Sequence, residues 1–213
     1  NNLKKLLITS TSETYGTAQY APIDEKHPLQ GQSPYSASKI GADKLAESYF
    51  LSFNLPVSIV RPFNTFGPRQ SARAVIPTII SQILSGKTTI KLGSLSPVRD
   101  FTFVKDTARA FVMSAESEKN IGEIVNFGTG KGVTIQEVKE MIEKIIGRKI
   151  AVECDKQRIR PEKSEVFKLI CDNKKAKRIT GWKPEYSLEE GIKETIDFIR
   201  EHLDLYKPDI YNI

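Results

Sequence analysis

Two segments decide the fold of this sequence: Thr9-Ser10-Thr11-Ser12-Glu13-Thr14-Tyr15-Gly16 and Tyr35-Ser36-Ala37-Ser38-Lys39. The first ends an apolar run that predicts a buried strand over Lys4–Ser10. The second opens a pattern of apolar residues at helical spacing, which predicts a helix over Tyr35–Phe53. A hydroxyl, a carboxylate, a phenol and an ammonium thus lie close together along the chain. Such a set can oxidise an alcohol and then remove a proton beside the new carbonyl.

The composition is ordinary for a globular protein: of 213 residues, 39% are hydrophobic and 27% charged. The sequence has no apolar run near the ~18 residues of a membrane span and no basic-then-apolar leader. We therefore expect a cytoplasmic location and no membrane partner. Cys154 and Cys171 have no metal-binding spacing, which predicts two idle thiols in a reducing compartment and no metal site.

The net charge of +6 raises the question of nucleic-acid binding. Much of the positive excess lies between Lys156 and Arg178, where Phe167 is the only aromatic residue. Nucleic-acid binders usually interleave aromatic residues with such a run or place it on a recognition helix. We predict instead a solvated basic face, with one or two arginines directed at a small phosphorylated ligand, and no nucleic-acid partner.

Predicted strands and helices alternate along the rest of the chain, which favours an α/β fold with a parallel sheet. The strands are expected at Val57–Val60, Thr89–Leu92, Glu123–Phe127 and Ile150–Cys154, and the helices at Ala74–Leu84, Lys105–Ser117, Thr134 (as cap) to Gly147, Asn173–Ile179 and Leu188–His202. Asp204–Ile213 is expected to be a loose tail. Ligands bind at the carboxyl ends of parallel strands, where both the first segment and Arg61-Pro62-Phe63-Asn64 lie.

Tyr35 and Lys39 share one helix face because they are four residues apart. An unperturbed phenol, with a pKa near ~10, is a poor base at neutral pH, and a neighbouring ammonium favours its ionised form. A YxxxK pattern alone is weak evidence, since a tyrosine beside a solvated lysine is the ordinary alternative. The Thr11 hydroxyl can join the alcohol and the phenol in one hydrogen-bond chain, and Glu13 can remove a proton α to a carbonyl. The ordinary alternative for Glu13 is a solvated loop carboxylate.

An ordered series of further motifs accompanies these residues. It comprises Arg61-Pro62-Phe63-Asn64-Thr65-Phe66-Gly67-Pro68, Val98-Arg99-Asp100-Phe101-Thr102-Phe103-Val104-Lys105-Asp106, Asn126-Phe127-Gly128-Thr129-Gly130 and Gly181-Trp182-Lys183-Pro184. With this series, the chain resembles the extended short-chain dehydrogenases/reductases of the nucleotide-sugar epimerase and dehydratase group. Thr11-Ser12-Glu13 is similar to the version in GDP-mannose 4,6-dehydratase. Other stretches look closest to the dehydratases of legionaminic acid synthesis, which act on a nucleotide-linked, probably GDP-linked, N-acetylglucosamine.

The resemblance implies the C-terminal part of a Rossmann-type parallel sheet with a smaller α/β substrate-binding domain. Residues 1–62 and about 105–130 would belong to the NAD-binding domain, and about 63–104 and 131–213 to the nucleotide-sugar-binding domain. The glycine-rich βαβ portion of such enzymes is absent from this sequence. We therefore expect the 213-residue chain alone to bind NAD poorly and to show no turnover.

The resemblance also implies a role for each matching residue. The catalytic set would be Thr11, Ser12, Glu13, Tyr35 and Lys39. NAD would be contacted by Ser10, Tyr35, Lys39 and Pro62, and a GDP- or UDP-linked hexose by Asn64, Val75, Arg99 and Arg160. Such enzymes are commonly homodimers when full length, joined by a helical bundle to which Tyr35–Phe53 would contribute.

The implied activity is a 4,6-dehydration that yields a 4-keto-6-deoxy sugar. Ser12 stands where related enzymes carry an aspartate, so the proton donor for the departing C6 hydroxyl stays open. A 4-epimerase of the same family is the alternative, against which Glu13 argues, and a non-catalytic scaffold is another. Trp182 is expected to be a packing residue, and His27 and His202 to be surface histidines.

Overall fold

The computed structural model describes residues 3–158 and 166–207. The helices are α1 (Pro34–Phe53), α2 (Val75–Leu84), α3 (Val104–Glu116), α4 (Ile135–Ile146), α5 (Lys174–Thr180) and α6 (Leu188–Glu201). The strands are β1 (Leu6–Thr9), β2 (Val57–Pro62), β3 (Asn64–Phe66), β4 (Thr89–Leu92), β5 (Val98–Arg99), β6 (Phe101–Phe103), β7 (Ile124–Phe127), β8 (Val133–Thr134), β9 (Ala151–Cys154) and β10 (Lys168–Leu169). The predicted alternation of strands and helices is confirmed, with most boundaries within one or two residues.

A parallel sheet of order β1–β2–β7 forms the first part of the fold. Its central strand β2 is buried because it has a neighbour on each side. The expectation of a buried first strand is wrong: β1 pairs only with β2 among the described residues, and Leu6 stays 37% exposed. All three strands fall within the segments assigned to the cofactor domain, whose boundaries stay a prediction.

Short strands and three helices form the second part. β3 pairs with β6 and β4 with β9, both in parallel, and β5 lies between β10 and β8. Helices α2, α4 and α6 pack their apolar sides into one core with residues of β3, β4 and β6. Five of the strands, β3, β5, β6, β8 and β10, were not predicted, because two or three residues are too few to show a periodic pattern.

The helix that carries Tyr35 begins for identifiable reasons. Ser33 and Ser36 form a reciprocal capping box, and Pro34 occupies the first turn, where its missing N–H has no cost. Asn54 ends the helix in the left-handed conformation, with φ 51°. The capping box predicted for Thr134 and Glu137 at the start of α4 is confirmed.

Trp182 is expected to be a packing residue and His27 to lie on the surface. Trp182 is a packing residue, as expected: it is 1% exposed, stacks edge-to-face on Phe127 and donates its Nε1–H to the carbonyl of Asp106. The surface assignment of His27 is wrong, because this ring is 2% exposed and its Nε2 accepts from the amide of Gln19.

The chain end and the remaining histidine also differ from the expectation. Tyr206 is buried in the main core, so the segment from Asp204 is not loose up to this residue. His202 is half-buried and stacks on Phe198. Of the two thiols, Cys154 is exposed and Cys171 is buried. Within residues 3–158 and 166–207, no helix is long and apolar enough to cross a membrane, and no cluster of side chains is suited to a metal ion.

Candidate functional site

The turn after β1 holds Glu13 at the carboxyl end of the parallel sheet. Thr11 caps this turn, Ser12–Tyr15, by accepting a 3.2 Å hydrogen bond from the amide of Glu13. Gly16 follows with φ 61°, and a Cβ there would come within 2.9 Å of a carbonyl oxygen. Ser12 is buried, whereas Thr11 and Glu13 are partly exposed. The turn therefore presents the Thr11 and Glu13 side chains outward.

Helix α1 places its phenol and ammonium at the same strand end. Lys39 Nζ donates a 3.1 Å hydrogen bond to the carbonyl of Thr9 and lies 5.9 Å from the centre of the Tyr35 ring. Tyr35 is 50% exposed, so its phenol is open to a ligand. This open phenol beside a cation, at the carboxyl edge of a parallel sheet, fits the nicotinamide end of a dinucleotide cofactor.

A buried polar network, missed by the sequence analysis, connects this helix to the turn. Arg61 on β2 forms an ion pair with Asp43 at 2.8 Å, and both side chains are 1% exposed. Arg61 Nη1 also donates to the Tyr15 hydroxyl at 2.9 Å. Burial raises the pKa of Tyr15 to about 12, against the opposing effect of the Arg61 charge. Asp43 continues the stripe of Tyr35 and Lys39 at four-residue spacing, which is the signal that could have identified it.

The network continues into β7 and the loop between the turn and α1. The Tyr15 hydroxyl donates to the side-chain oxygen of Asn126 at 2.7 Å. The backbone amide of Asn126 donates to the carboxylate of Glu25 at 2.8 Å. Burial raises the pKa of Glu25, and the hydrogen bond from Asn126 opposes that shift. The loop between the two predicted catalytic segments is therefore anchored to the sheet.

A cleft of about 520 Å³ opens beside the turn. Four of the predicted site residues line it: Glu13, Asn64, Val75 and Arg99. Asn64 Oδ1 is buried and has no hydrogen-bond partner in the described parts of the chain, and the same holds for Gln70 Oε1. Because both residues line the cleft, these two oxygens are acceptors that a bound ligand can satisfy.

Of the polar cleft residues that were not predicted as site residues, the four with the longest side chains are Gln70, Arg73, Gln157 and Arg158. They lie close in sequence to Val75 or Arg160, which were predicted as site residues. This proximity was the signal that could have identified them. Arg158 also forms a 3.1 Å ion pair with Asp155. Arg160 lies outside the described residues.

Asp100 fixes the strand junction beside Arg99. Its carboxylate accepts from the amides of Thr129, Gly130 and Cys171 at 2.8 to 3.1 Å, and from the Thr129 hydroxyl at 2.6 Å. Burial raises the pKa of Asp100, while these donors act in the opposite direction. The side chain thereby joins β5 and β6 to the loop after β7, and so places Arg99 at the cleft.

The other predicted residues that the structure describes do not line the cleft. Thr11, Ser12, Tyr35 and Lys39 lie at the neighbouring strand end, and Pro62 is the last residue of β2. The Ser10 hydroxyl donates to Asp43 at 2.7 Å and is 3% exposed. Its predicted contact with a cofactor therefore stays a prediction.

Comparison with known proteins adds family information to this geometry. The family model of GDP-mannose 4,6 dehydratase matches residues 1–195. The UDP-glucuronate 4-epimerase of Thermodesulfobacterium geofontis is 34% identical over 208 residues, which cover 96% of this chain and 62% of that protein.

Two solved structures superpose on nearly the whole chain. The dTDP-glucose 4,6-dehydratase of Bacillus anthracis, in complex with NAD, has a TM-score of 0.87 and 30% identity, covering 96% of this chain and 64% of its own. A mutant UDP-glucuronic acid 4-epimerase of Bacillus cereus, with NAD and a UDP-sugar, has a TM-score of 0.86 and 30% identity, covering 94% and 62%. The predicted α/β fold with a Rossmann-type parallel sheet is confirmed, and the chain spans less than two thirds of the length of these relatives.

Proposed function

Because this chain belongs to the GDP-mannose 4,6-dehydratase family, we propose that it is the greater part of an NAD-dependent nucleotide-sugar 4,6-dehydratase. The observation that carries the proposal is the position of Glu13, which lines the same cleft as Arg99 and Asn64. An enzyme that only oxidises and re-reduces C4 has no step for a carboxylate base. A dehydratase needs one, because a proton must leave C5 before water can leave C6.

The residues at the strand end divide the chemistry between two carbon atoms. Tyr35 takes the proton of the C4 hydroxyl, and the charge of Lys39 stabilises the phenolate that performs this step. Thr11 holds the sugar hydroxyl by a hydrogen bond. Ser10, Tyr35, Lys39 and Pro62 would hold NAD, which would supply reversible hydride transfer with no net redox change. Glu13 removes the C5 proton, which the C4 ketone acidifies, and passes it directly or through a water to the C6 hydroxyl, which departs as water. The proton that Tyr35 took from the C4 hydroxyl balances the proton that C5 gains when the C5–C6 double bond is reduced.

The arginines of the cleft account for substrate binding. Guanidinium groups form paired hydrogen bonds with phosphate oxygens, and Arg99 and Arg158 both face the cleft. We assign them to the diphosphate, together with Arg160, and Asn64 to the sugar-phosphate region. GDP-linked N-acetylglucosamine is the substrate that we propose first, on the resemblance of the sequence.

A 4-epimerase is the second candidate, since the relative from Thermodesulfobacterium geofontis, 34% identical, is a UDP-glucuronate 4-epimerase. The two functions differ in product mass. Only a dehydratase removes one water from the nucleotide sugar, whereas an epimerase yields an isomer.

Mass spectrometry of the product therefore tests the proposal. The protein from its complete coding sequence is incubated with NAD and, separately, with GDP-N-acetylglucosamine, GDP-mannose, dTDP-glucose and UDP-glucuronate. Loss of one water from any of them supports a dehydratase, and the substrate that reacts names the nucleotide. An isomer without loss of mass would assign the epimerase, and four unchanged nucleotide sugars would refute both candidates.

The expected homodimer is supported by the outer face of α1. Leu45, Tyr49 and Phe53 are 61%, 47% and 72% exposed, and they recur at four-residue spacing along one side of the helix. We propose that a second copy covers this stripe. Light scattering of the complete protein and of a Leu45→Glu variant tests it: the variant is expected to be monomeric.

A further inference from the structure

We propose that Arg61 is a positioning residue that sets helix α1, which carries Tyr35 and Lys39, relative to the turn that carries Glu13. The inference rests on the proposed function, and it adds a residue that contacts neither substrate nor cofactor. Arg61 lies on β2 between the two elements and is 1% exposed. Its guanidinium group divides its donors between them: Nε and Nη2 bond to the helix, and Nη1 to the turn.

The helix branch passes through Asp43. One oxygen of this carboxylate accepts from Arg61 Nε at 3.0 Å, from Arg61 Nη2 at 2.8 Å and from the Ser10 hydroxyl at 2.7 Å. Asp43 is one helical turn beyond Lys39, which itself donates to the carbonyl of Thr9. Successive turns of α1 are thus bonded to successive residues at the end of β1. A slide of α1 by one residue, about 1.5 Å, breaks both bonds.

The turn branch passes through Tyr15. Its hydroxyl accepts from Arg61 at 2.9 Å and donates to Asn126 at 2.7 Å, and the side chain is fully buried. Tyr15 is two residues beyond Glu13 in a single helical turn, closed by the bond from the Gly16 amide to the Glu13 carbonyl at 3.2 Å. Holding the Tyr15 ring therefore holds the backbone that carries Glu13.

Stability alone does not account for this arrangement. A buried ion pair often contributes no more than apolar side chains of the same volume, because both charges lose their hydration. Here Asp43 Oδ1 is buried and has no hydrogen-bond partner among the described residues, a further loss of stability. The two bonds from Arg61 and the bond from Ser10 all go to the other oxygen, Oδ2. They join the helix to the ends of β1 and β2, and the third donor of Arg61 bonds to the turn.

The two branches act on different bonds of the substrate. The helix branch places Tyr35, which works while the C4–H bond breaks, and the turn branch places Glu13, which works while the C5–H bond breaks. Kinetic isotope effects with substrate deuterated at C4 or at C5 therefore report each branch separately. A variant that merely destabilises the fold has no reason to act on one bond rather than the other.

The test uses one mild variant for each branch, because removal of Arg61 or Asp43 leaves a buried charge unpaired and endangers folding. Ser10→Ala loosens the helix branch and Tyr15→Phe cuts the turn branch, both in the protein from its complete coding sequence. The probe is GDP-N-acetylglucosamine or, if that is not dehydrated, dTDP-glucose. Each variant is expected to lower kcat by roughly 10- to 100-fold, the effect of a displacement of about 1 Å, with KM unchanged. Ser10→Ala should raise the isotope effect at C4, and Tyr15→Phe that at C5.

Two control variants match these in chemistry. Ser58→Ala removes a buried hydroxyl that donates to the carbonyl of Asn120. Tyr206→Phe removes a buried phenol in the core formed by α2, α4 and α6. Both should lower the melting temperature and leave the two isotope effects as in the wild type. Amide hydrogen exchange of the unliganded proteins gives a readout independent of turnover: Tyr15→Phe should speed exchange at Thr14 and Gly16, and Tyr206→Phe should not.

The outcomes distinguish a failure of the positioning role of Arg61 from a failure of the proposed function. Equal isotope effects at C4 and C5 in both variants, or values identical to the wild type, would overturn the positioning role. A wild-type protein that removes water from no nucleotide sugar would refute the proposed function instead. In that case unchanged exchange at Thr14 and Gly16 in Tyr15→Phe would still overturn the role of Arg61.

Discussion

Lys39 donates a 3.1 Å hydrogen bond to the carbonyl oxygen of Thr9, the last residue of β1. This bond ties the second turn of α1 to the end of a strand and leaves the ammonium 5.9 Å from the centre of the Tyr35 ring. The lysine therefore holds the helix in register with the strand through one N–H, and we propose that its charge also acts on the phenol. Neither role is available to an apolar side chain.

Replacement of Lys39 by methionine separates charge from bulk. We expect kcat to fall by roughly 10²- to 10⁴-fold, the usual contribution of a general base, because the phenolate loses its cation. Lys44→Met is the matched control on the same helix, since Lys44 is exposed and pairs with Glu47. Steady-state assays of both variants check the prediction, and wild-type kcat in Lys39→Met would contradict it.

Replacement of Glu13 by glutamine removes the base at C5 and keeps the shape of the turn. We expect the loss of water to be abolished, and exchange of the C5 hydrogen with deuterated solvent to stop with it. The hydrogen bond from the backbone amide of residue 13 to the Thr11 hydroxyl does not involve the replaced carboxylate, so the turn should fold as before. Glu116→Gln, at an exposed position of α3, should retain both reactions. Continued exchange at C5 in Glu13→Gln would show that another group takes this proton.

The fold could be predicted from the sequence where a pattern extends over several turns or over a whole strand. Helix α6, expected at Leu188–His202, runs over Leu188–Glu201, and β4 lies where expected. Strand β1 shows the limit. Its apolar run indicates a strand, but whether a strand has one neighbour or two depends on pairing with distant segments, which no local pattern records.

The site shows the same division. Glu13, Asn64 and Arg99 were predicted as site residues because each stands in a motif, and the structure brings them to one cleft. Asp43 was not predicted, since its partner Arg61 belongs to another element. The bond from Tyr15 to Asn126 joins residues 111 positions apart, and such contacts exist only after folding.

Trp182 is expected to be the costliest side chain to truncate. It is 1% exposed, packs edge-to-face on Phe127 at 5.2 Å and bonds to the Asp106 carbonyl. Trp182→Ala should lower the free energy of unfolding by about 3–5 kcal/mol, the usual cost of truncating a buried aromatic residue. Urea denaturation checks the value. Leu205→Ala, at a position 64% exposed, is the control and should change it by at most about 0.5 kcal/mol.

Glu25 should make stability fall as the pH rises. Burial raises the pKa of its carboxyl above the ordinary 4.5, so the folded state holds the proton more tightly than the unfolded state. Its contribution is complete below pH 4.5 and is lost as the pH rises through the folded-state pKa. Glu25→Gln lacks this titration, so its stability relative to the wild type should increase from pH 4.5 towards neutrality.

Glu137 is the control of opposite sign. Hydrogen bonds from Thr134 lower its pKa, so its contribution to stability is present above pH 4.5 and lost as the pH falls through the lowered pKa. Denaturant unfolding of Glu25→Gln and Glu137→Gln from below pH 4.5 to neutrality checks this: relative to the wild type, Glu25→Gln should gain stability as the pH rises above 4.5, and Glu137→Gln only as the pH falls below 4.5. A stability of Glu25→Gln that stays parallel to the wild type above pH 4.5 would contradict the assignment for Glu25.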